Sequence, residues 1–369
     1  MRGNLKLLPL NYNIGMFNEI GPKKKILDYL LLGGIGILLV FSVITLTSIA
    51  PSIFPTYYVY LALSLVAFFL FSKVNFSVIS LFSNHLYILS IVLLLIPIVL
   101  GQLTRGTIRW VNVGALTAQP SELVRPFLLI FFANFLTAKQ LNFKRLIKAL
   151  GLLALPLFLI IVQPSLGVAV LTTLGFVGII LSSSFEKKYL LFMFLAFLVA
   201  APIGYNFLKP YQKERIMTFV NPTADPYGAG YNSLQSQIAV GSGSFLGKGL
   251  GKGTQTQLSF LPERQTDFIF ASISEELGLI GAVVVILLLL MIYWRLTVYM
   301  DNAESPAART YLSGFFVILL SQTFVHVGMN MGLLPITGVP LPLVSAGGSS
   351  LLGTMMGLGI ALGAKSKVS

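Results

Sequence analysis

The sequence predicts an all-α polytopic membrane protein of about ten transmembrane helices with one long extracytoplasmic loop, and three observations carry that prediction. Hydrophobic residues make up 56% of the chain and charged residues only 10%, with a mean hydropathy of +0.86. Soluble domains carry roughly a quarter charged residues. Apolar runs of the roughly 20 residues needed to cross a bilayer recur along the chain. Between them Lys and Arg fall in short clusters, as the positive-inside rule arranges them. The net charge of +13 therefore reads as loop bias toward the cytoplasm, and no nucleic-acid partner is expected. Cysteine is absent, which excludes disulfides, thiol nucleophiles and thiolate metal sites. His85 and His326 are too far apart in sequence to suggest a His-rich metal centre.

Residues 1–26 form a polar cytoplasmic lead. Lys23, Lys24 and Lys25 precede a long apolar run with no small-residue cleavage site, so the run reads as the first span rather than a signal peptide. The membrane domain covers 27–364, with spans near 27–49, 57–72, 86–101, 121–138, 149–163, 166–183, 189–208, 268–295, 310–333 and 345–364. Lys73, the basic cluster 139–148, Lys187, Lys188, Arg295, Arg309 and the tail 365–369 then share one side with the N-terminus. That side is cytoplasmic, so both termini are expected there. Arg105, Arg109 and the 209–266 loop lie opposite. This loop carries Asn221-Pro222 and Asp225-Pro226 turn signals and a glycine-rich stretch, 241–253. Gly follows both Lys248 and Lys252, so no nucleotide-binding P-loop is present. The stretch reads as a mobile solvated loop, with phosphate contact by its lysines as the alternative.

Charge inside a bilayer costs at least ~2.5–3.5 kcal/mol per group, so each acid at a span end needs a reason. Asp267 directly precedes an apolar run at the outer mouth of a long span. Partial desolvation there suits a general base, and an interfacial helix cap is an equally good reading. Glu122 and Arg125, at i and i+3, share a helix face that opens at Pro120. They read first as an ion pair neutralising two charges. Glu275 and Glu276 face different directions on one helix, so at least one points inward as a structural polar contact. The segment 333–342 is a turn-rich apolar link of a kind tolerated at membrane depth where it is buried in protein or lines a cavity. Gly353, Gly357 and Ala361, and likewise Gly328 and Gly332, read as close helix packing.

Taken together, these motifs resemble the SEDS family (shape, elongation, division and sporulation) over nearly everything after the lead. The matching residues are Arg109-Trp110, Gln119-Pro-Ser-Glu-Leu123, Gln163-Pro164, Leu166-Gly167 and 239–243. Most specific is Gly253-Thr-Gln-Thr-Gln-Leu-Ser-Phe-Leu-Pro-Glu263, leading into Thr266-Asp267 and Glu275-Glu-Leu-Gly278; its wording is that of the RodA branch rather than the FtsW branch. Segments 328–335 and 338–342, with Ser345 and Gly347-Gly-Ser-Ser350, close the pattern. Where Arg125, Ser165, Gln265 and Ala346 stand, the family usually has Lys, Asp, His and Tyr; Arg125 keeps its charge and Ser165 loses a carboxylate.

The resemblance implies a peptidoglycan glycosyltransferase acting on lipid II at the outer face of the bacterial cytoplasmic membrane, with Asp267 matching the family's catalytic aspartate. Arg109, Arg125, Lys248 or a divalent cation (Mg or Mn) would meet the leaving pyrophosphate, and Glu122 would hold Arg125. Trp110, Gln119, Glu263 and Ser345 are the remaining supporting positions. No nucleotide or organic cofactor is expected, because the donor arrives activated. Expected partners are membrane lipid, a class B penicillin-binding protein and elongation-complex membrane proteins. Two other readings compete, a lipid II flippase and a non-catalytic scaffold for that penicillin-binding protein. A flippase needs polar groups continuing to the cytoplasmic leaflet, whereas here they gather at the outer mouth.

Overall fold

The computed structural model describes residues 28–100, 108–114, 116–140, 142–183, 198, 206, 210–228 and 230–365. The predicted lead 1–26, the span at 189–208 apart from residues 198 and 206, Lys187, Lys188, Arg105 and the last residues of the tail lie outside these. Six helices are long and apolar enough to cross a membrane. They are α1 (Tyr29–Ile49), α2 (Thr56–Lys73), α4 (Ser83–Leu100), α7 (Phe143–Val162), α12 (Ile269–Asp301) and α13 (Pro306–Asn330). Three shorter apolar helices, α6 (Arg125–Thr137), α8 (Leu166–Ser182) and α14 (Gly348–Gly363), fall on predicted spans. Short helices α3 (Phe76–Leu81) and α5 (Pro120–Leu123) complete this part of the chain. One predicted span, 121–138, is two pieces, because the chain breaks at Val124 and restarts at Arg125 with Pro126 in the first turn. Before it stands a small hairpin, β1 (Val111–Val113) against β2 (Leu116–Ala118), with Val111 opposite Ala118.

Helix α14 packs chiefly against α2, α13 against α8 and α12, and α12 against α1. The α2–α14 contact is close because glycines face backbone: a methyl group at Gly359 would lie 2.6 Å from the Phe68 carbonyl oxygen, and one at Gly363 2.4 Å from that of Val74. Gly353 and Gly357 meet the Glu122 backbone and the Phe315 ring in the same way, as expected. Gly332 is approached as closely, with a methyl group there 2.3 Å from Gln237 Nε2, but it lies just beyond α13 at φ +74°, where it turns the chain out of the helix. Outward-facing Ile37, Val40, Ile44, Val92 and Leu287 are exposed, as side chains bathed in lipid are. At the end opposite Asp267, Asp28 caps α1 by accepting from Leu31 N at 3.1 Å and accepts from Arg295 Nε at 2.9 Å and Tyr299 Oη at 2.6 Å.

At 33 residues α12 would run about 50 Å, well beyond a hydrocarbon core of about 30 Å. It is broken at Gly278, with φ 66° and ψ −165°, a conformation closed to other residues. The 209–266 loop is what breaks it. Within that loop α9 (Pro210–Val220), α10 (Tyr231–Ser242) and α11 (Thr254–Gln257) form, and residues 244–249 wedge into the ladder of α12. In an unbroken helix Leu279 N and Ile280 N would donate to the Glu275 and Glu276 carbonyls. Instead they donate to Ser244 O (2.9 Å) and Phe245 O (3.2 Å), while Lys248 N and Gly249 N donate to Glu275 O and Glu276 O, both at 2.9 Å. These four backbone groups freed by the break are thus paired again.

The glycine-rich stretch, though much of it is exposed, is thus tied down rather than a free loop. Gly243, Gly247 and Gly253 serve close approach; a methyl group at Gly243 would lie 1.8 Å from Ser274 O. The two glutamates pin the rest of it. Glu275, fully buried, accepts from Lys248 Nζ (2.8 Å), Thr254 Oγ1 (3.2 Å), Gln255 N (2.9 Å) and Thr256 N (3.0 Å). Glu276, equally buried, accepts from Ser48 Oγ (2.6 Å), Gln257 Nε2 (2.8 Å) and Gly251 N (3.2 Å). Both point inward.

Candidate active site

Asp267 sits half-buried just before the N-terminus of α12 on a turn built from its own neighbours. The Glu263 carbonyl accepts from the backbone N–H groups of Thr266, Asp267 and Phe268 at 3.1, 3.1 and 3.3 Å. Glu263 takes φ +48° to do so, and its Oε2 accepts from Thr266 Oγ1 at 2.9 Å. The cap residue of α12 is Phe268, which offers no side-chain bond. Asp267 stands one residue before that cap position. The cap comes from another helix: Asn330 Oδ1, at the end of α13, accepts from Ala271 N at 3.0 Å. Asn330 Nδ2 donates to Asp267 O at 3.0 Å. A small apolar cluster of Ala239, Leu261, Phe268 and Ala271 supports the turn from beneath.

The turn-rich link between α13 and α14 lies against the same corner. Ser345 Oγ donates to Thr266 O at 2.9 Å and accepts from Leu341 N at 2.8 Å, while Ala346 N donates to Gln265 O at 2.9 Å. A methyl group at Gly338 would lie 3.5 Å from Asp267 Oδ2, so the link runs beside the carboxylate. A few residues on, Ser349 Oγ accepts from Gln119 N at 2.8 Å. Gln119 Nε2 donates to Ser121 Oγ and Ser165 Oγ, both at 3.1 Å, so Ser165 is a hydrogen-bond partner in this network. The link thereby joins the Asp267 turn to the Gln119–Arg125 segment.

Glu122 and Arg125 form a buried ion pair, with side chains about 5% exposed, as their spacing predicts. Arg125 Nη1 also donates to Gln322 Oε1 at 3.2 Å, and Gln322 Nε2 donates to the Pro340 carbonyl at 2.7 Å. Arg109 and Trp110 lead into β1, with the guanidinium 5.7 Å from the Trp110 ring centre. The hairpin is anchored by Tyr60, whose Oη donates to Thr117 O at 2.8 Å and accepts from Thr117 N at 2.7 Å. Lys248 stands apart from this group, its ammonium held by Glu275 and Thr254. Of the predicted supporting residues, Glu263, Ser345, Gln119, Glu122 and Arg125 are thus tied into one network with the Asp267 turn. Lys248 belongs to the knot that shapes the loop.

Among the described residues, no three His, Asp or Glu side chains are gathered so as to hold a metal ion. A magnesium ion held by one or two carboxylates and the phosphates of a substrate needs no such cluster. Sequence reading gave no role to Gln322, Asn330 or Ser349, although the last two lie within the matching segments 328–335 and 347–350. Gln322, His326 and Asn330 also recur at four-residue spacing within an apolar helix.

Comparison with known proteins gives a consistent result. The model of the FtsW, RodA and SpoVE cell cycle protein family matches residues 24–369. The peptidoglycan glycosyltransferase MrdB of Escherichia coli K12 is 40% identical over 283 residues, covering 75% of this chain and 76% of that protein. Stage V sporulation protein E of Bacillus subtilis is 36% identical over 276 residues, covering 74% and 75%. Among solved structures, a chain of a peptidoglycan synthase complex that coordinates polymerization and crosslinking superposes with a TM-score of 0.79 at 29% identity, covering 91% of this chain and 96% of that one. The rod shape determining protein RodA of Thermus thermophilus gives 0.67 at 26% identity, covering 91% and 95%.

Proposed function

The chain belongs to the FtsW, RodA and SpoVE cell cycle family and is a peptidoglycan glycosyltransferase, and from that premise we propose that Asp267 is the general base with which it polymerises lipid II at the outer face of the cytoplasmic membrane. One observation supports the reading most: the Asp267 backbone is fixed by Glu263 and Asn330, while its half-buried side chain lies beside the link that carries Ser345. A base must be held still and yet remain reachable by substrate.

In the proposed step Asp267 takes the proton from the 4-hydroxyl of the acceptor sugar. The hydroxyl oxygen forms a bond to the anomeric carbon of the lipid-linked donor, whose bond to the pyrophosphate oxygen breaks with inversion. Undecaprenyl pyrophosphate leaves with the bonding pair. Of the predicted cations, Lys248 is held by Glu275 in the loop. Arg125, tied into the network with the Asp267 turn, and the half-buried Arg109 are the side chains we assign to the pyrophosphate. The Glu122–Arg125 pair supports the link from below. The prenyl tails lie in the bilayer, which supplies access. A penicillin-binding transpeptidase is the expected partner, because a structural relative was solved in a peptidoglycan synthase complex.

The test is polymerisation of labelled lipid II by wild type and Asp267→Ala, each co-purified with a penicillin-binding partner lacking a glycosyltransferase domain. Glycan chains from wild type and none from the folded, partner-bound variant support the base. Equal polymerisation removes Asp267 from the chemistry. If neither polymerises, the flippase and scaffold readings take over.

A further inference from the structure

Helix α13 is apolar along most of its length, yet Gln322, His326 and Asn330 form a row on one face, and each is fully buried. Eight residues of helix place Asn330 about 12 Å beyond Gln322 along the axis. At the inner end Gln322 accepts from Arg125 Nη1 and donates to Pro340 O. In the middle the Val339 carbonyl lies 2.7 Å from His326 Nδ1, so that nitrogen carries the hydrogen and donates it. At the outer end Asn330 uses its whole amide: Nδ2 donates to His326 O (2.8 Å) and Asp267 O (3.0 Å), and Oδ1 accepts from Ala271 N (3.0 Å). Its backbone carbonyl accepts from Ser236 Oγ of α10 at 2.9 Å.

Three side chains of one rigid helix thus hold three separate pieces of the site: the ion pair, the link beside the carboxylate, and the turn bearing the carboxylate. We propose that Asn330, at the head of this row, is the positioning residue that sets Asp267 in register with the Glu122–Arg125 pair. The proposal rests on Asp267 acting as the base. Apolar packing would hold α13 in place without polar side chains. A buried carboxamide bonded through both ends to one turn does something packing cannot, which is to fix a backbone position to within a few tenths of an ångström.

Asn330→Ala removes every side-chain contact to the turn. Asn330→Asp keeps the acceptor for Ala271 N, loses the donor to Asp267 O and places a second carboxylate beside the turn. Both are compared with wild type and Asp267→Ala in the partner-bound complex, measuring kcat, KM for lipid II, the pH dependence of kcat and thermal melting. The expected result is a kcat lowered 10–100-fold, the order of magnitude of a small misplacement of a reacting group, with KM within about twofold. For Asn330→Asp the acid limb of the pH profile moves upward, because a nearby like charge disfavours the ionised base. Should Asn330→Ala not fold, Asn330→Asp and Asn330→Ser carry the test. Wild-type kcat and an unmoved acid limb, with Asp267→Ala inactive, overturn the proposal and leave the base intact, as does a fall in melting temperature alone. Activity in Asp267→Ala removes the base and this proposal with it.

Discussion

Glu275 and Glu276 lie one short helix downstream of Asp267, and the two places use carboxylates in opposite ways. The glutamates have no exposed surface and between them collect amides, hydroxyls and one ammonium from α1, α11 and the glycine-rich stretch. At Asp267 the backbone is held by Glu263 and Asn330, and the residue keeps part of its surface open. A fully enclosed acid organises chain. An acid on a clamped backbone that stays partly exposed can be reached by a substrate. Acidity inside a membrane protein is therefore a poor guide to chemistry until its exposure is known.

Four substitutions sharpen or break that contrast. The largest effect belongs to Asp267→Asn, which keeps shape and removes the basic oxygen; polymerisation falls by about 10²–10⁴-fold with the melting temperature near that of wild type. Glu275→Ala acts the other way. Breaking a buried pair on one side costs about 3–5 kcal/mol, read as a lower melting temperature, while activity per folded molecule falls far less than in Asp267→Asn. A loss of chemistry without a loss of stability at Glu275 would erase the distinction. Gly278→Ala forces a left-handed φ on alanine and sets a methyl group 2.5 Å from Phe245 O; about 1–3 kcal/mol of destabilisation follows, seen in the same melt. Lys248→Met leaves the buried Glu275 with its three other donors and no counter-charge: about 1–3 kcal/mol, with KM for lipid II unchanged. A raised KM there would return Lys248 to the substrate side.

Much of the fold was legible because lipid imposes one rule on every span. The helices found at 29–49, 56–73, 83–100 and 166–182 fall within a few residues of the apolar runs that predict them. The Glu122–Arg125 pair was legible because helical spacing alone brings i and i+3 together. Asp267 stood level with a cap reading on position alone, and the resemblance tipped it. What stayed hidden depends on partners distant in sequence. Nothing local tells that Asn330 reaches back to Asp267 and Ala271, or that Ser349 meets Gln119. The glycine-rich stretch looked mobile for the same reason: its amides are satisfied by two glutamates whose burial only the tertiary fold creates. The break at Gly278 had one trace in the sequence, an acidic pair too far down an apolar run to lie in lipid.

That break has a mechanical side. Left alone, a helix interrupted at a glycine is a free joint. In this chain the joint is splinted, since residues 244–249 bond to the carbonyls above it and the amides below it. The angle between the span and the short helix that begins beside Asp267 is therefore not a property of that helix. It is held by a separate stretch of chain, and a force applied there is felt as a torque on the corner that carries the carboxylate.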